Sequence, residues 1–410
     1  ASFGHMEKVL ERPELQELSV GPPHRVIQPL AADTYRFIGR LYDEFLPNFS
    51  SRRFNINCDE TWDLGKGRSA ALVKRLGIGE VYVRHILKLH AMITARHGRR
   101  VMMWGDIIRH HPKLIPRLPK DLIVLPWGYF NRWTAKDLAP FRRAGLDFIV
   151  CPGTCAWHSP TPWTHVSNRN IRSAAAAARA SGGLGIMTTD WGDGGHQQPP
   201  ALSLYGLAFG AEQAWNGGAT AIPDFERRFS KLVFGDDRGD AARLWRAFGE
   251  ANDALRIRPV YQWWWTTVNF ALLFYDHRHG DGPDRFNEKL IARVTPAGAR
   301  RLARVTGRAL AAWRALDRRQ AGDPLVRREL RYAIRMLEHL VMRLDWLLAI
   351  RAGARGGSVS LDGRRLLADL RWLRREFLFL WRARNRPQGR RAHLKLLADC
   401  ERYYASMVSP

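Results

Sequence analysis

The sequence predicts an α/β domain of barrel type in the first half of the chain, followed by an all-helical domain. Five short apolar segments alternate with segments of helical periodicity as far as about Ile222, which is typical of a parallel sheet covered by helices. Each apolar segment runs into aromatic or acidic residues, and strand ends of this kind are where α/β barrels place their chemistry. Only helical patterns follow. We therefore expect one domain over residues 1–221 and a second over residues 222–410.

Length and composition indicate a globular protein. Of 410 residues, 46% are hydrophobic and 11% are aromatic, which is enough to fill a sizeable core. There is no apolar run of membrane-spanning length. The chain begins with Ala1, so targeting cannot be read from it. The irregular cysteine spacing matches no disulfide framework and favours a reducing, cytoplasmic compartment. The four cysteines are Cys58, Cys151, Cys155 and Cys400.

The net charge of +26 raises the question of a nucleic-acid partner, because clustered Lys and Arg neutralise phosphates. Arginines recur at helical spacing among Leu, Ala and Trp, for example between Arg300 and Arg308, which is typical of the solvated faces of amphipathic helices. We recognise no nucleic-acid-binding motif. We attribute the charge to many helical surfaces and keep a polyanion site as the alternative.

The first predicted strand carries the strongest functional signal. Apolar and polar residues alternate from Arg53 to Asp59, which is the period of a strand. Glu60 would point away from Asp59 in a continued strand, so the two acids share a pocket only if the strand ends there. Gly65 and Gly67 supply the freedom to turn. We predict that Asp59 and Glu60 are the catalytic residues; a solvated acid pair at the start of a loop is the alternative.

The four later predicted strands end near Trp, Tyr and acidic side chains. A pyranose presents apolar faces that stack on aromatic rings and hydroxyls that need polar partners. For any one Trp, packing in the core is the alternative interpretation. The predicted strands are Arg100–Asp106, Asp121–Tyr129, Asp147–Cys151 and Gly185–Asp193, with helices over Leu30–Phe49, Glu80–His97 and about Asn170–Ala180. The candidate sugar-binding residues are Trp104, Asp106, Trp127, Tyr129, Trp157, Trp191 and Asp193.

The second half is predicted to form helices throughout. The run Trp263, Trp264 and Trp265 is either an aromatic platform for a sugar or, as its apolar neighbours favour, part of a core or domain interface. The predicted helices are Phe225–Phe234, Asp240–Asp253, Pro296–Leu316, Pro324–Ile350 and Leu361–Arg382.

Two smaller features allow alternative interpretations. Cys151, Cys155, His158 and His165 are zinc-ligand residue types, but their spacing matches no standard zinc module. We therefore expect incidental cysteines and no metal. His196 either borders the pocket or caps the loop that contains it.

The segment CDETWDLGKG after an apolar strand resembles the catalytic motif of the family 20 glycoside hydrolases, the β-N-acetylhexosaminidases. Its spacing is most similar to the hexosaminidase D-like branch, and the likeness extends over roughly the first half of the chain. The resemblance implies a (β/α)8 TIM barrel of which this chain holds the fourth to eighth strands. An N-terminally truncated barrel of this kind would be poorly folded and inactive until roughly 100 upstream residues were restored.

The resemblance also implies a retaining exo-hydrolase of terminal β-linked GlcNAc or GalNAc. In this family the 2-acetamido oxygen of the substrate is the nucleophile. Glu60 would be the general acid and base, and Asp59 would orient the acetamido group. The implied partners are N-acetylhexosamine-containing glycans or glycosides, with no cofactor.

The same resemblance assigns further contacts. His5 would line the sugar pocket, and Trp104, Trp127 and Trp191 would wall it. Asp193 stands where the family usually has a Glu that binds the distal hydroxyls. Trp157 falls near a position where many members have a Tyr, for which Tyr129 is a weaker substitute. These departures leave the sugar preference open. The alternatives are a non-catalytic sugar-binding or scaffold protein on the same barrel and, less favoured, a basic nucleic-acid-associated protein.

Overall fold

The computed structural model describes residues 2–193, 197–216, 219–257, 267–274, 290–354 and 357–408. The chain divides into two compact units, and each is described by itself. The first unit consists of Ala1–Pro152 and Ser173–Met187, and the second of Gly153–Arg172 and Thr188–Pro410. Neither unit begins or ends near residue 222, where the sequence analysis places the boundary between two domains. That domain boundary stays a prediction.

A five-stranded parallel sheet is the framework of the first unit, with the strands in chain order. Parallel neighbours in chain order with helices between them are the arrangement of a β/α barrel. This confirms the predicted α/β class and the position of every predicted strand. The strands are β1 Arg53–Asn55, β2 Arg100–Trp104, β3 Ile123–Leu125, β4 Asp147–Val150 and β5 Gly185–Ile186.

Among the helices of the first unit, α4 packs on β2 and α6 on β4. In α2 the buried residues Tyr35, Ile38 and Tyr42 recur at helical spacing. The helix α4 ends as predicted at Gly98, whose φ of 59° is left-handed and whose N–H donates to the Thr94 carbonyl. The helices are α1 Glu7–Leu10, α2 Ala32–Phe45, α3 Ala70–Leu76, α4 Ile78–His97, α5 Asp106–Arg109 and α6 Ala135–Arg143; α7, Thr164–Ala180, begins in the second unit and ends in the first.

The described part of the second unit beyond residue 188 is helical and has no named strand. Side-chain caps fix two helix starts: the Thr295 hydroxyl accepts from Gly298 N–H, and the Asp323 carboxylate accepts from Leu325 N–H. The predicted helical region is therefore confirmed, although α8, α11 and α15 were not predicted. The helices are α8 Leu204–Asn216, α9 Ile222–Phe234, α10 Asp240–Asp253, α11 Val268–Phe274, α12 Pro296–Arg318, α13 Pro324–Arg351, α14 Gly357–Arg384 and α15 Arg390–Val408.

Successive long helices of this unit pack on one another, α12 on α13, α13 on α14 and α14 on α15. In the residues that the structure describes, no helix is both long and apolar enough to cross a membrane.

Candidate active site

The predicted acids lie where β1 leaves the sheet, which happens earlier than the alternation of residues predicts. The strand ends at Asn55, and Asn57, Cys58 and Glu60 adopt left-handed φ values of 62°, 66° and 49°. Each such residue costs about 1–3 kcal/mol, and this kind of strain concentrates at functional sites. The prediction of a strand running to Asp59 was therefore wrong in length, because the backbone turns before Gly65 and Gly67 are reached.

Three neighbouring elements hold this strained segment. The Tyr82 hydroxyl, on α4, donates to the Cys58 carbonyl at 2.8 Å. The Trp104 N–H, at the end of β2, donates to the Asn57 carbonyl at 3.0 Å. The Glu60 N–H donates to Asp106 Oδ2 at 3.0 Å. The positions of Asp59 and Glu60 are therefore set by residues distant in sequence.

The segment before α1 approaches the acids closely because Gly4 has no side chain. A Cβ atom at Gly4 would lie 2.1 Å from the Asp59 carbonyl oxygen and 3.2 Å from that of Glu60. Both atoms belong to the backbone, so neither can move aside cheaply. Gly4 thus allows the next residue, His5, to reach the two carboxylates.

His5 bridges the acids. Its Nε2 lies 3.3 Å from Asp59 Oδ2 and 3.3 Å from Glu60 Oε2. The hydrogen bonds to Asp59 and then to Glu60 raise the pKa of His5 from 6.5 to about 10, although burial opposes this. One imidazolium therefore lies between two carboxylates at neutral pH. Asp59 is the more enclosed acid, with a side chain 13% exposed against 24% for Glu60.

Asp106 is the first residue of α5, and its side chain accepts a hydrogen bond from the Glu60 backbone. Its Oδ2 accepts the Glu60 N–H, and its buried Oδ1 has no hydrogen-bond partner within the described part of the chain. Burial raises the pKa of Asp106 from 3.8 to about 6, against the opposing hydrogen bond from Glu60. The sequence suggested a sugar contact for this acid, and the structure adds a contact with the backbone of Glu60.

The aromatic candidates of the first unit lie at the ends of the next strands. Trp104 is 7% and Tyr129 is 8% exposed. The half-buried Trp127 stacks on Tyr129, with ring centroids 5.2 Å apart and planes 14° from parallel. The structure therefore connects Trp104 to the acids through its backbone and pairs Trp127 with Tyr129.

The other three sugar-binding candidates belong to the second unit. Trp157 is buried, and the Trp191 carbonyl accepts from Gln198 Nε2 at 2.7 Å. Asp193 is exposed. Burial lowers the pKa of His158, and the negative charge of Asp193 and a hydrogen bond to the Asp193 backbone partly oppose this shift. The predictions for His196 and for Trp263, Trp264 and Trp265 fall outside the described residues.

The residues considered for zinc have other contacts. All four cysteines are free and buried, and burial raises the pKa of the Cys151 and Cys155 thiols. His165 Nε2 lies 2.8 Å from Asp253 Oδ2. Among the described residues, no three His, Cys, Asp or Glu side chains are arranged to hold a metal ion.

Sequence reasoning did not single out several residues near the site. Gly4 precedes His5 directly, and Tyr82 lies within the predicted helix Glu80–His97 without having been named. Trp62 follows Glu60 by two residues, donates its N–H to the Glu60 carbonyl at 2.8 Å and is 57% exposed. A tryptophan inside the quoted motif was a sequence signal that could have identified it, because aromatic rings stack on the apolar faces of sugars.

The comparisons with known proteins bear on this site. Residues 5–180 match the model of the glycosyl hydrolase family 20 catalytic domain. No curated protein matches the chain. The solved structures that match it include the following two. A β-N-acetylhexosaminidase from Bacteroides fragilis has 17% identity and a TM-score of 0.40, with 56% of this chain and 50% of that chain covered. A GH138 enzyme targeting pectin rhamnogalacturonan II has 12% identity and a TM-score of 0.41, with 92% and 52% covered.

The chain spans about half the length of each of these structures. The matched residues include β1 to β4 and His5, Asp59 and Glu60. The resemblance to family 20 is therefore confirmed over residues 5–180, whereas the hexosaminidase D-like branch stays a prediction. The first part of this chain is similar to the catalytic domain of the glycosyl hydrolase family 20.

Proposed function

We propose that this protein is a retaining exo-β-N-acetylhexosaminidase that removes terminal β-linked GlcNAc or GalNAc by substrate-assisted catalysis. The observation that carries the proposal is the cluster of His5, Asp59 and Glu60, in which one imidazole nitrogen lies 3.3 Å from each of two carboxylates. It lies at a strand end inside the segment that matches family 20.

Glu60 is the proposed general acid and base. Its side chain is the more exposed of the two acids, so it can meet a glycosidic oxygen that enters from solvent. Glu60, which must first take up a proton from solvent, gives that proton to the oxygen as the bond breaks and then accepts a proton from the incoming water. Asp106 fixes the backbone from which Glu60 projects, and positioning of this kind lowers the barrier without any new chemistry.

Asp59 is the proposed partner of the acetamido group. The carbonyl oxygen of that group attacks the anomeric carbon, and positive charge develops on the resulting oxazolinium-like ring. A carboxylate that accepts the acetamido N–H stabilises this charge, more strongly in a desolvated site than in water. The low exposure of Asp59 supports this role.

His5 keeps two like charges together. With a pKa of about 10 it is protonated at neutral pH, so it offsets the repulsion between Asp59 and Glu60 and holds both in place. The rings of Trp104, Trp127 and Tyr129 offer apolar surface for a pyranose. The roles expected for Trp157, Trp191 and Asp193 stay predictions.

Hydrolysis of paired chromogenic substrates tests the proposal. The protein should cleave an aryl β-N-acetylhexosaminide and leave the matching 2-hydroxy glycoside largely intact, because only the first carries the nucleophile. A thiazoline that mimics the cyclised intermediate should inhibit it. Equal rates on both glycosides would contradict the substrate-assisted mechanism. Binding of an N-acetylhexosamine without turnover would support the non-catalytic sugar-binding alternative.

A further inference from the structure

Arg343, on α13, is an arginine whose side chain is completely buried in the second unit. Its Nη1 donates to the Tyr404 hydroxyl at 2.9 Å. Among the residues that the structure describes, its Nε and Nη2 have no hydrogen-bond partner. The guanidinium lies 5.3 Å from the ring centroids of both Tyr403 and Tyr404, so aromatic faces cover part of it.

The polar groups around Arg343 are occupied elsewhere. His339 lies between Asp369 Oδ2, at 2.8 Å from its Nδ1, and the Tyr404 hydroxyl, at 2.9 Å from its Nε2. The Asp369 carboxylate also forms an ion pair with Arg335. Among the described residues, no carboxylate forms an ion pair with Arg343.

Arg327, on the same helix, is a buried arginine whose guanidinium nitrogens all have hydrogen-bond partners. It is 5% exposed. Its Nε donates to Asp317 Oδ1 at 3.2 Å, its Nη1 to the Gly322 carbonyl at 2.6 Å and its Nη2 to Gln320. Among the described residues, Arg327 therefore has both a counter-charge and a hydrogen-bond partner for each guanidinium nitrogen, whereas Arg343 has no counter-charge and a single hydrogen-bonded nitrogen.

The two unpartnered nitrogens of Arg343 have a definite geometry. Nε and Nη2 lie on one edge of the planar guanidinium, where their N–H bonds point in parallel, and this edge binds anions bidentately. An arginine stays protonated even when buried. A buried unpaired charge is strongly unfavourable, and the two tyrosine rings offset it only in part. A water molecule could accept the hydrogen bonds but would not balance the charge.

We propose that the Nε–Nη2 edge of Arg343 binds a small monovalent anion of the halide class inside the helical region. A halide accepts both N–H donors, balances the charge and needs only a small enclosed space. Because Tyr403 and Tyr404 lie on α15 and Arg343 on α13, the bound ion stabilises the packing of α13 against α15. The site is independent of the proposed hydrolase chemistry.

Thermal unfolding of the whole protein tests this. At constant ionic strength, replacing methanesulfonate by chloride or bromide should raise the Tm of the wild type by about 3 °C once the halide exceeds its Kd tenfold. Arg343→Met should abolish the rise in Tm that is specific to halide. Arg331→Met is the matched control, because Arg331 is a partly exposed arginine of the same helix that already has a counter-charge, Glu338, and its loss should leave the halide effect intact. Surface ion pairs respond to ionic strength rather than to the identity of the anion.

Equal Tm values in halide and methanesulfonate would overturn the proposal, and so would a halide effect that survives Arg343→Met. If that variant does not fold, bromide-containing crystals of the wild type decide the question. An anomalous peak within about 3.5 Å of Nε and Nη2 is expected. An empty site, a water molecule or bromide found only elsewhere would contradict the proposal.

Discussion

The charged cluster at the end of β1 and the buried polar groups around Arg343 differ in backbone, exposure and charge balance. His5, Asp59 and Glu60 lie on irregular, partly left-handed backbone and are partly exposed. Arg343 lies on a regular helix and is completely buried. In the cluster at the end of β1, the His5 cation lies between two carboxylates. Around Arg343, the Nε–Nη2 edge of the guanidinium has no partner among the described residues.

This difference separates the proposed site of chemistry from the proposed anion site, which has a structural role. A reacting group must meet solvent and substrate, so its position is maintained by strained backbone and by contacts from distant segments. A buried charge on a regular helix has no access to substrate, so it acts on packing and stability. Changes in the first cluster should therefore alter turnover, and changes in the second should alter unfolding.

The largest expected effect comes from Glu60→Gln, which should lower turnover by about 10²- to 10⁴-fold because the leaving oxygen loses its proton donor. The loss should shrink for an aryl glycoside with a very acidic phenol, which leaves without protonation. Glu44→Gln, at an exposed acid of α2, should change neither rate. If good and poor leaving groups suffered equally, Glu60 would not be the acid.

Asp59→Asn should lower kcat by about 10²- to 10³-fold while changing the affinity for the neutral product sugar much less. An amide can still contact the acetamido group but cannot balance the developing positive charge. Steady-state kinetics with product inhibition separate the two quantities. A parallel loss of product affinity and kcat would assign Asp59 to ground-state binding instead.

Gly4→Ala should lower both activity and the free energy of unfolding, the latter by about 1–3 kcal/mol, because the new Cβ would collide with the Asp59 carbonyl oxygen. Gly307→Ala is the opposite case in the helical region. A Cβ there would meet nothing within 4 Å, so the variant should be more stable by about 0.4–1 kcal/mol. Chemical denaturation measures both. Unchanged activity in Gly4→Ala would show that His5 reaches the acids without this close approach.

The smallest expected effect is the pH dependence of His5→Gln. The folded-state pKa of His5, about 10, exceeds the ordinary 6.5. Its contribution to stability is therefore fully present below pH 6.5 and is lost as the pH rises through about 10. The stability difference between wild type and variant should shrink between pH 7 and pH 10. His110→Gln, at an exposed position, serves as the control. A difference that stayed constant over this range would mean that His5 carries no linked proton.

The sequence predicted the order of strands and the position of Asp59 and Glu60 at the end of the first strand, because periodicity and the composition of strand ends are local. It did not predict the left-handed residues Asn57, Cys58 and Glu60, because their conformation depends on Tyr82, Trp104 and Asp106 in other elements. The alternation of apolar and polar residues along a strand does not indicate which residues of other elements will contact it. The predicted strand was therefore too long.

The arginines of the helical region show a second limit of the sequence. Their spacing predicted helices correctly, and exposed positions such as Arg300 and Arg304 fit the expected solvated faces. Arg327 and Arg343 are buried nevertheless. A helix that packs against several others has more than one covered face, and the sequence does not show which of its arginines lies there.

The contact between His5 and the two acids also bears on the order of folding. The segment before α1 meets the end of β1 only after α2 and the intervening turns have closed, and contacts so distant in sequence form late. The acids should therefore acquire their shared cation near the end of folding. The proposed hydrolase activity would then return only when this contact closes, in the last phase of refolding.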